Sequence, residues 1–227
     1  MKKLFLILSV LLNVILLSVC IYQMSRPLGR IYTDSSVNTY FQLQQKLPVN
    51  SEDIVFMGGQ QIANCDWYEL LDNCKIKNRG IPGAQIIRDT DRLDKILKNG
   101  PAQVFLLYGI DELNAGVSVE TVVEQYKNFV NFILANSPMT EILIQSVFPV
   151  AKEQQRIKVR NEDIEEFNME MKEFALENGI VYIDLYSDFL NEEKDGIRIS
   201  YTVGDGYLLS ATGYTLWKDR IQSFIKK

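Results

Sequence analysis

The chain has 227 residues with 24 Lys+Arg, 29 Asp+Glu, a formal net charge of −5 and no histidine. That length suits one domain with an appendage, and 47% hydrophobic with 23% charged residues suits a packed core rather than a disordered chain. Without imidazole, no Ser-His-Asp triad, Cys-His dyad or His-ligated zinc can be assembled, and the acidic balance gives no basis for nucleic-acid binding.

Lys2-Lys3 precedes Leu4–Tyr22, in which only Ser9, Asn13 and Ser18 are polar. As a helix rising about 1.5 Å per residue it spans about 28 Å, close to the roughly 30 Å hydrocarbon core of a bilayer. A removed signal peptide usually has a shorter apolar region and an A-x-A-like exit, which Cys20-Ile-Tyr-Gln-Met-Ser-Arg does not supply. Leu17-Ser18-Val19-Cys20 looks like a lipobox, with Val19 where that pattern wants a small residue. The expectation is an uncleaved anchor over residues 1–22, with a cleaved signal and a lipidated Cys20 as alternatives. Lysines before the span place the N-terminus in the cytoplasm and the remainder outside. Setting Lys2 and Lys3 aside leaves 22 basic against 29 acidic residues, a net −7 that disfavours a domain lying flat on anionic lipid.

Residues 23–35, with Pro27 and Gly29, read as a linker, and 36–227 as the domain. Ser36–Lys46 has helical character and stops before Pro48. Short apolar runs then predict strands at Ile54–Met57, Ala102–Tyr108, Glu141–Val147 and Val181–Leu185, with a weaker one at Lys75–Lys77. Cys65 and Cys74 lie between the first and second of these in chain order. On one continuous helix they would be about 13 Å apart, too far for a disulfide, so two separate buried thiols are expected. Ser118 is expected to cap a helix bearing Val122, Tyr126, Phe129 and Ile133 on one face. Asn161 is expected to cap another, with Ile164, Phe167, Met171 and Phe174, ending at Gly179, and Ser210 to open the last, with Tyr214, Trp217 and Ile221. Apolar strands alternating with amphipathic helices imply a parallel sheet of about five strands covered on both faces, a three-layer α/β/α domain. In such a sheet ligands meet the carboxyl ends of the strands. The informative loops are therefore Gly58-Gly59-Gln60, Gly80–Gln85, Gly109–Glu112 and Gly204–Ser210.

Those loops carry a resemblance to the SGNH (GDSL-type) esterase/lipase family over roughly residues 36–226. The family's strand and G-D-S correspond to Asp53–Met57 and Gly58-Gly59-Gln60. Its Trp and N-R-G-I-x-G-D correspond to Trp67 and Asn78-Arg79-Gly80-Ile81-Pro82-Gly83-Ala84. Its G-x-N-D-L becomes Gly109-Ile110-Asp111-Glu112-Leu113, and its Q-S-x-x-P becomes Gln145-Ser146-Val147-Phe148-Pro149. Its D-G-x-H-L…G-Y…W becomes Asp205-Gly206-Tyr207-Leu208-Leu209…Gly213-Tyr214…Trp217. The resemblance implies a flavodoxin-like α/β/α fold.

The same comparison implies that the chemistry is absent. Gln60 stands at the nucleophile, and a carboxamide cannot be activated into one. Leu208 stands at the general base, and Asp111 at the oxyanion-donating Asn, where an ionised carboxylate would repel developing negative charge. Gly83 and Asp205 match the pattern, while Gly59 and Ala84 replace acids. The expectation is a catalytically inactive domain that serves as a binding or scaffold module for an envelope polysaccharide or acylated glycan. Gly59, Gln60, Gly83, Gln85, Asp111, Glu112 and Asp205 are its candidate ligand-binding residues. The alternative is an acylhydrolase with non-standard catalytic residues acting on acylated glycans or lipids; under altered chemistry, Asp111, Glu112 and Asp205 would form an acid/base carboxylate pair of the kind glycoside cleavage requires, or a weak divalent-cation site. No metal or cofactor is expected. Ser146 and Ser210 are poor substitute nucleophiles, and Cys65 has no basic neighbour to activate it.

Overall fold

The computed structural model describes residues 39, 43, 46–152 and 157–226. The anticipated span Leu4–Tyr22, Cys20, the 23–35 linker and most of the helix over Ser36–Lys46 lie outside them. Among the described residues no helix is long and apolar enough to cross a membrane.

Each apolar run becomes a strand: β1 Ile54–Gly58, β2 Ile76–Asn78, β3 Gln103–Leu107, β4 Glu141–Gln145 and β5 Val181–Ile183. They form one sheet in the order β2-β1-β3-β4-β5 with every pairing parallel. β1 and β3 are buried along their whole length, which is why they read as unbroken apolar runs rather than alternating ones. The chain leaves β1 first toward β2 and then crosses back to β3. That reversal opens a crevice at the carboxyl ends of β1 and β3.

Side chains alternate across the sheet. Ile54 and Phe56 of β1, Phe105 and Leu107 of β3 and Leu143 of β4 join a cluster with Trp67, Phe148, Trp217 and Ile221. Its rings form a continuous series, with centroid distances of 4.6 Å for Phe105–Phe56, 4.8 Å for Phe56–Trp67, 4.5 Å for Trp67–Trp217 and 4.8 Å for Trp217–Phe148. Each such pair adds about 0.5–1.5 kcal/mol beyond its area. Both indoles are fully buried because their N–H groups are satisfied: Trp67 donates to the Ile62 carbonyl at 2.9 Å and Trp217 to Gln145 Oε1 at 2.7 Å.

From β1 onward the α-helices among the described residues are, in chain order, α1 Gln60–Ala63, α2 Trp67–Leu70, α3 Ile86–Leu97, α4 Ile110–Asn114, α5 Val119–Asn136, α6 Asn161–Glu177, α7 Tyr186–Phe189 and α8 Ala211–Ile221. α3, α5 and α6 pack side by side, and α2 and α8 carry Trp67 and Trp217 into the aromatic cluster of the other layer. Ser118 and Ser210 cap α5 and α8 as anticipated, accepting from the Thr121 and Gly213 amides, each at 3.3 Å. Asn161 does not cap α6, whose N-cap is Arg160. Its carboxamide turns back on Val150, accepting from its N–H and donating to its C=O, each at 2.9 Å. This pins the chain after β4 to the start of α6.

α3 was not anticipated from periodicity, because its inward stripe is not purely apolar. Asp89 and Arg92 are buried there with Leu93, Ile96 and Leu97. Arg92 Nε donates to Asp89 Oδ1 at 2.9 Å and Nη2 to the Arg79 carbonyl at 2.7 Å, while the Tyr108 hydroxyl donates to Asp89. The two cysteines also depart from expectation: both are free, but only Cys65 is buried while Cys74 is exposed, and one short helix, α2, rather than a continuous one lies between them.

Candidate functional site

The crevice is formed by the loops that leave β1 and β3. Gly58 has φ +154°, and a Cβ there would overlap the Leu107 carbonyl, so the two strands approach this closely only with glycine at that place. Gly109, at the end of β3, has φ +119°, and a Cβ would lie 2.7 Å from the Phe167 ring on α6. These two turns fix where α1 and α4 begin.

Gln60 opens α1 and is half-buried. Asp111 lies in the first turn of α4 and projects its carboxyl across the crevice to Gly59. Burial, and then the neighbouring Glu112 carboxylate, push the Asp111 carboxyl up to about 7. The group therefore holds its proton well above the usual carboxylate range, which softens the repulsion expected of a permanent carboxylate at this position. Glu112 points elsewhere. It is 2% exposed, and its Oε1 accepts the Ile86 N–H at 2.7 Å, tying α4 to the start of α3. Burial raises its carboxyl above the ordinary range, and that amide pulls it back. Gln85 is the half-buried N-cap residue of α3, but its side chain makes no capping bond. Gly83 is exposed at φ +73° with open space where a side chain would be.

The last loop closes on itself. Asp205 Oδ1 accepts from the amides of Tyr207 at 3.0 Å and Leu208 at 2.8 Å. The carboxylate that the resemblance assigns to orienting an imidazole thus holds the turn that carries Leu208. Tyr207, 6% exposed, packs into the crevice. With Gln61, Tyr108, Ile110, Phe148 and Pro149 it lines a residual cavity of about 10 Å³, room for no more than one water. Sequence reasoning did not single out Gln61, Ile110 or Phe148 for the site. Their only signal was adjacency to the strand ends, since each is an ordinary core residue type or neighbours a better-marked position.

The substitute nucleophiles are occupied as well. Ser146 is 1% exposed and its Oγ accepts from the amides of Leu185 at 2.8 Å and Tyr186 at 2.7 Å. Ser210 is the α8 cap. The Cys65 thiol is pushed up to about 12 by burial and then by Asp66, far from a reactive thiolate. Among the described residues, no group of three or more Cys, Asp or Glu is placed to hold a metal ion.

Residues 55–216 match the model of the GDSL-like lipase/acylhydrolase family. Among solved structures, a Streptococcus pneumonia protein named for platelet activating factor is similar at TM-score 0.73 and 23% identity, over 91% of this chain and 98% of its own. A GDSL-like lipase from Bacteroides thetaiotaomicron is similar at TM-score 0.71 and 19% identity, over 83% and 96%. The acetyl xylan esterase AlAXEase follows at TM-score 0.65 and 18% identity, over 77% and 100%. At these identities the likeness is one of fold. No curated protein sequence matches the chain.

Proposed function

This chain belongs to the GDSL-like lipase/acylhydrolase family, and from that premise we propose that it does not hydrolyse esters but serves outside the membrane as a binding or scaffold module for cell-envelope glycan. The observation that carries this reading is the closed Asp205–Leu208 turn. A leucine occupies the position of the base, its supporting carboxylate is committed to backbone amides, and Tyr207 fills the adjoining space. No second imidazole is available to take the base's place, because the chain has no histidine. Gln60 adds the lack of a nucleophile, and the loss of one oxyanion donor alone costs about 3–4 kcal/mol of transition-state stabilisation.

The position outside the membrane rests on Lys2-Lys3 ahead of Leu4–Tyr22. Recognition of a glycan rather than a buried acyl chain is supported by the small size of the cavity beside Tyr207, about 10 Å³, and by the half-buried polar side chains of Gln60, Gln85 and Asp111 on the neighbouring strand-end loops. With full-length protein in detergent, p-nitrophenyl acetate and butyrate are expected to release nitrophenol no faster than in buffer. Calorimetric titration with envelope polysaccharide is expected to show binding. Turnover above buffer would overturn the first half of the reading, and a flat titration the second.

One observation favours a second reading, an acylhydrolase with altered residues: Asp111, pushed up to about 7, is a carboxyl matched to acid–base work at neutral pH. Turnover abolished by Asp111→Asn would move the assignment there.

A further inference from the structure

We infer that Gly59 is the seat of the Asp111 carboxyl, and that residues 59 and 111 form one coupled unit that sets which hydrogen-bonding group the crevice presents. Gly58 and Gly109 are glycine for backbone reasons: positive φ, and a carbonyl or a ring where a Cβ would go. Neither reason applies to Gly59. Its φ is −80°, which any L-residue adopts. Among the described residues, a Cβ at 59 would meet nothing within 4 Å except Asp111, overlapping Oδ2 and lying 3.7 Å from Cγ. The missing side chain is therefore room for that carboxyl and for nothing else.

Asp111 needs the room because, among the described residues, the only charged group acting on its largely buried carboxyl is the like-charged Glu112. A carboxyl in that position, with no cation among those residues acting on it, is placed by space. The motif comparison gives the arrangement a meaning. The family carries an acid at the position of Gly59 and an amide at the position of Asp111. Here the acid enters from the β3 side, into the volume that a side chain from the β1 side would otherwise occupy. Asn at 111 has the shape of the acid and would take the same seat beside Gly59, so the space at 59 fixes where either group lies.

The test is a double-mutant cycle on the full-length protein in detergent. Gly59→Ala in the parent background is expected to lower the melting temperature by about 5 °C or more. It should also bring the Asp111 carboxyl, followed by 13C resonance, down from about 7 by at least one pH unit, since the methyl pushes the group toward water. In an Asp111→Ala background the same substitution should cost nothing, or give the small gain expected of Gly→Ala at a compatible φ. In an Asp111→Asn background the cost should persist, because the amide has the shape of the acid. Equal cost in the parent and Asp111→Ala backgrounds, with an unmoved titration, overturns the inference. Should Gly59→Ala fail to fold, rescue by Asp111→Ala supports it and failure to rescue overturns it.

Discussion

A carboxyl buried beside another carboxylate resists ionisation, and the fold bears that cost once the pH is high enough to force it. For Asp111 the sign follows from its position, raised from an ordinary 3.8 to about 7. Below pH 4 both folded and unfolded forms hold the proton, and the group is neutral to stability. Between 4 and 7 the folded form binds more protons than the unfolded one, so stability declines as pH rises, and above 7 the full penalty is present. Asp111→Asn is therefore expected to match the parent near pH 4 and to exceed it by about 2–4 kcal/mol at pH 8. Urea midpoints at pH 4, 6 and 8 check this, and parallel curves for the two proteins would refute it. That Gln60, Asp111 and Leu208 stand in the strand-end loops was legible in the sequence, and their reading as replacements is what the family resemblance implies. The contact between Gly59 and Asp111 was not legible, because residues 52 positions apart in the chain come together only when β1 and β3 pair.

At the scale of elements, side chains that looked available for chemistry turn out to join one element to the next. Ser146 links the end of β4 to the start of α7 by accepting two amides in a dry environment. Removing its hydroxyl leaves both N–H groups buried without an acceptor, at about 1–3 kcal/mol each. Ser146→Ala should accordingly lower stability by about 2–4 kcal/mol in urea denaturation. A variant as stable as the parent would mean that water or a shifted loop satisfies those amides. Glu112 does the same between α4 and α3, and Asn161 between α6 and the chain after β4. The strands were legible because burial on both faces writes continuous apolar runs into the sequence. α3 was not, because the Asp89–Arg92 pair interrupts its apolar stripe, and only the packed structure shows that the two charges neutralise each other and meet Tyr108.

At the scale of the whole molecule, the anchor reading makes its own prediction. Full-length protein expressed in a bacterial cell should remain in the membrane pellet after alkaline carbonate extraction, and deletion of residues 1–22 should release it. Protease added outside spheroplasts should digest the domain. A soluble product shortened by the N-terminal segment would point to a cleaved signal instead, and full-length protein in the soluble fraction would end the anchor reading.

The absence of histidine, the order of the strands and of the capped helices α5 and α8, and the identity of the residues at each strand end were all determined by the sequence. Composition is independent of folding, and motif order survives in the linear chain. What only the tertiary structure decided is how those residues are engaged. Glu112 and Asp205 are committed to backbone amides, Tyr207 fills the crevice, and Asp111 lies in the space left by Gly59. Hydrogen-bond partners and shared volume depend on which loops the parallel sheet brings to one edge, and that is a property of strand pairing rather than of any local run of residues.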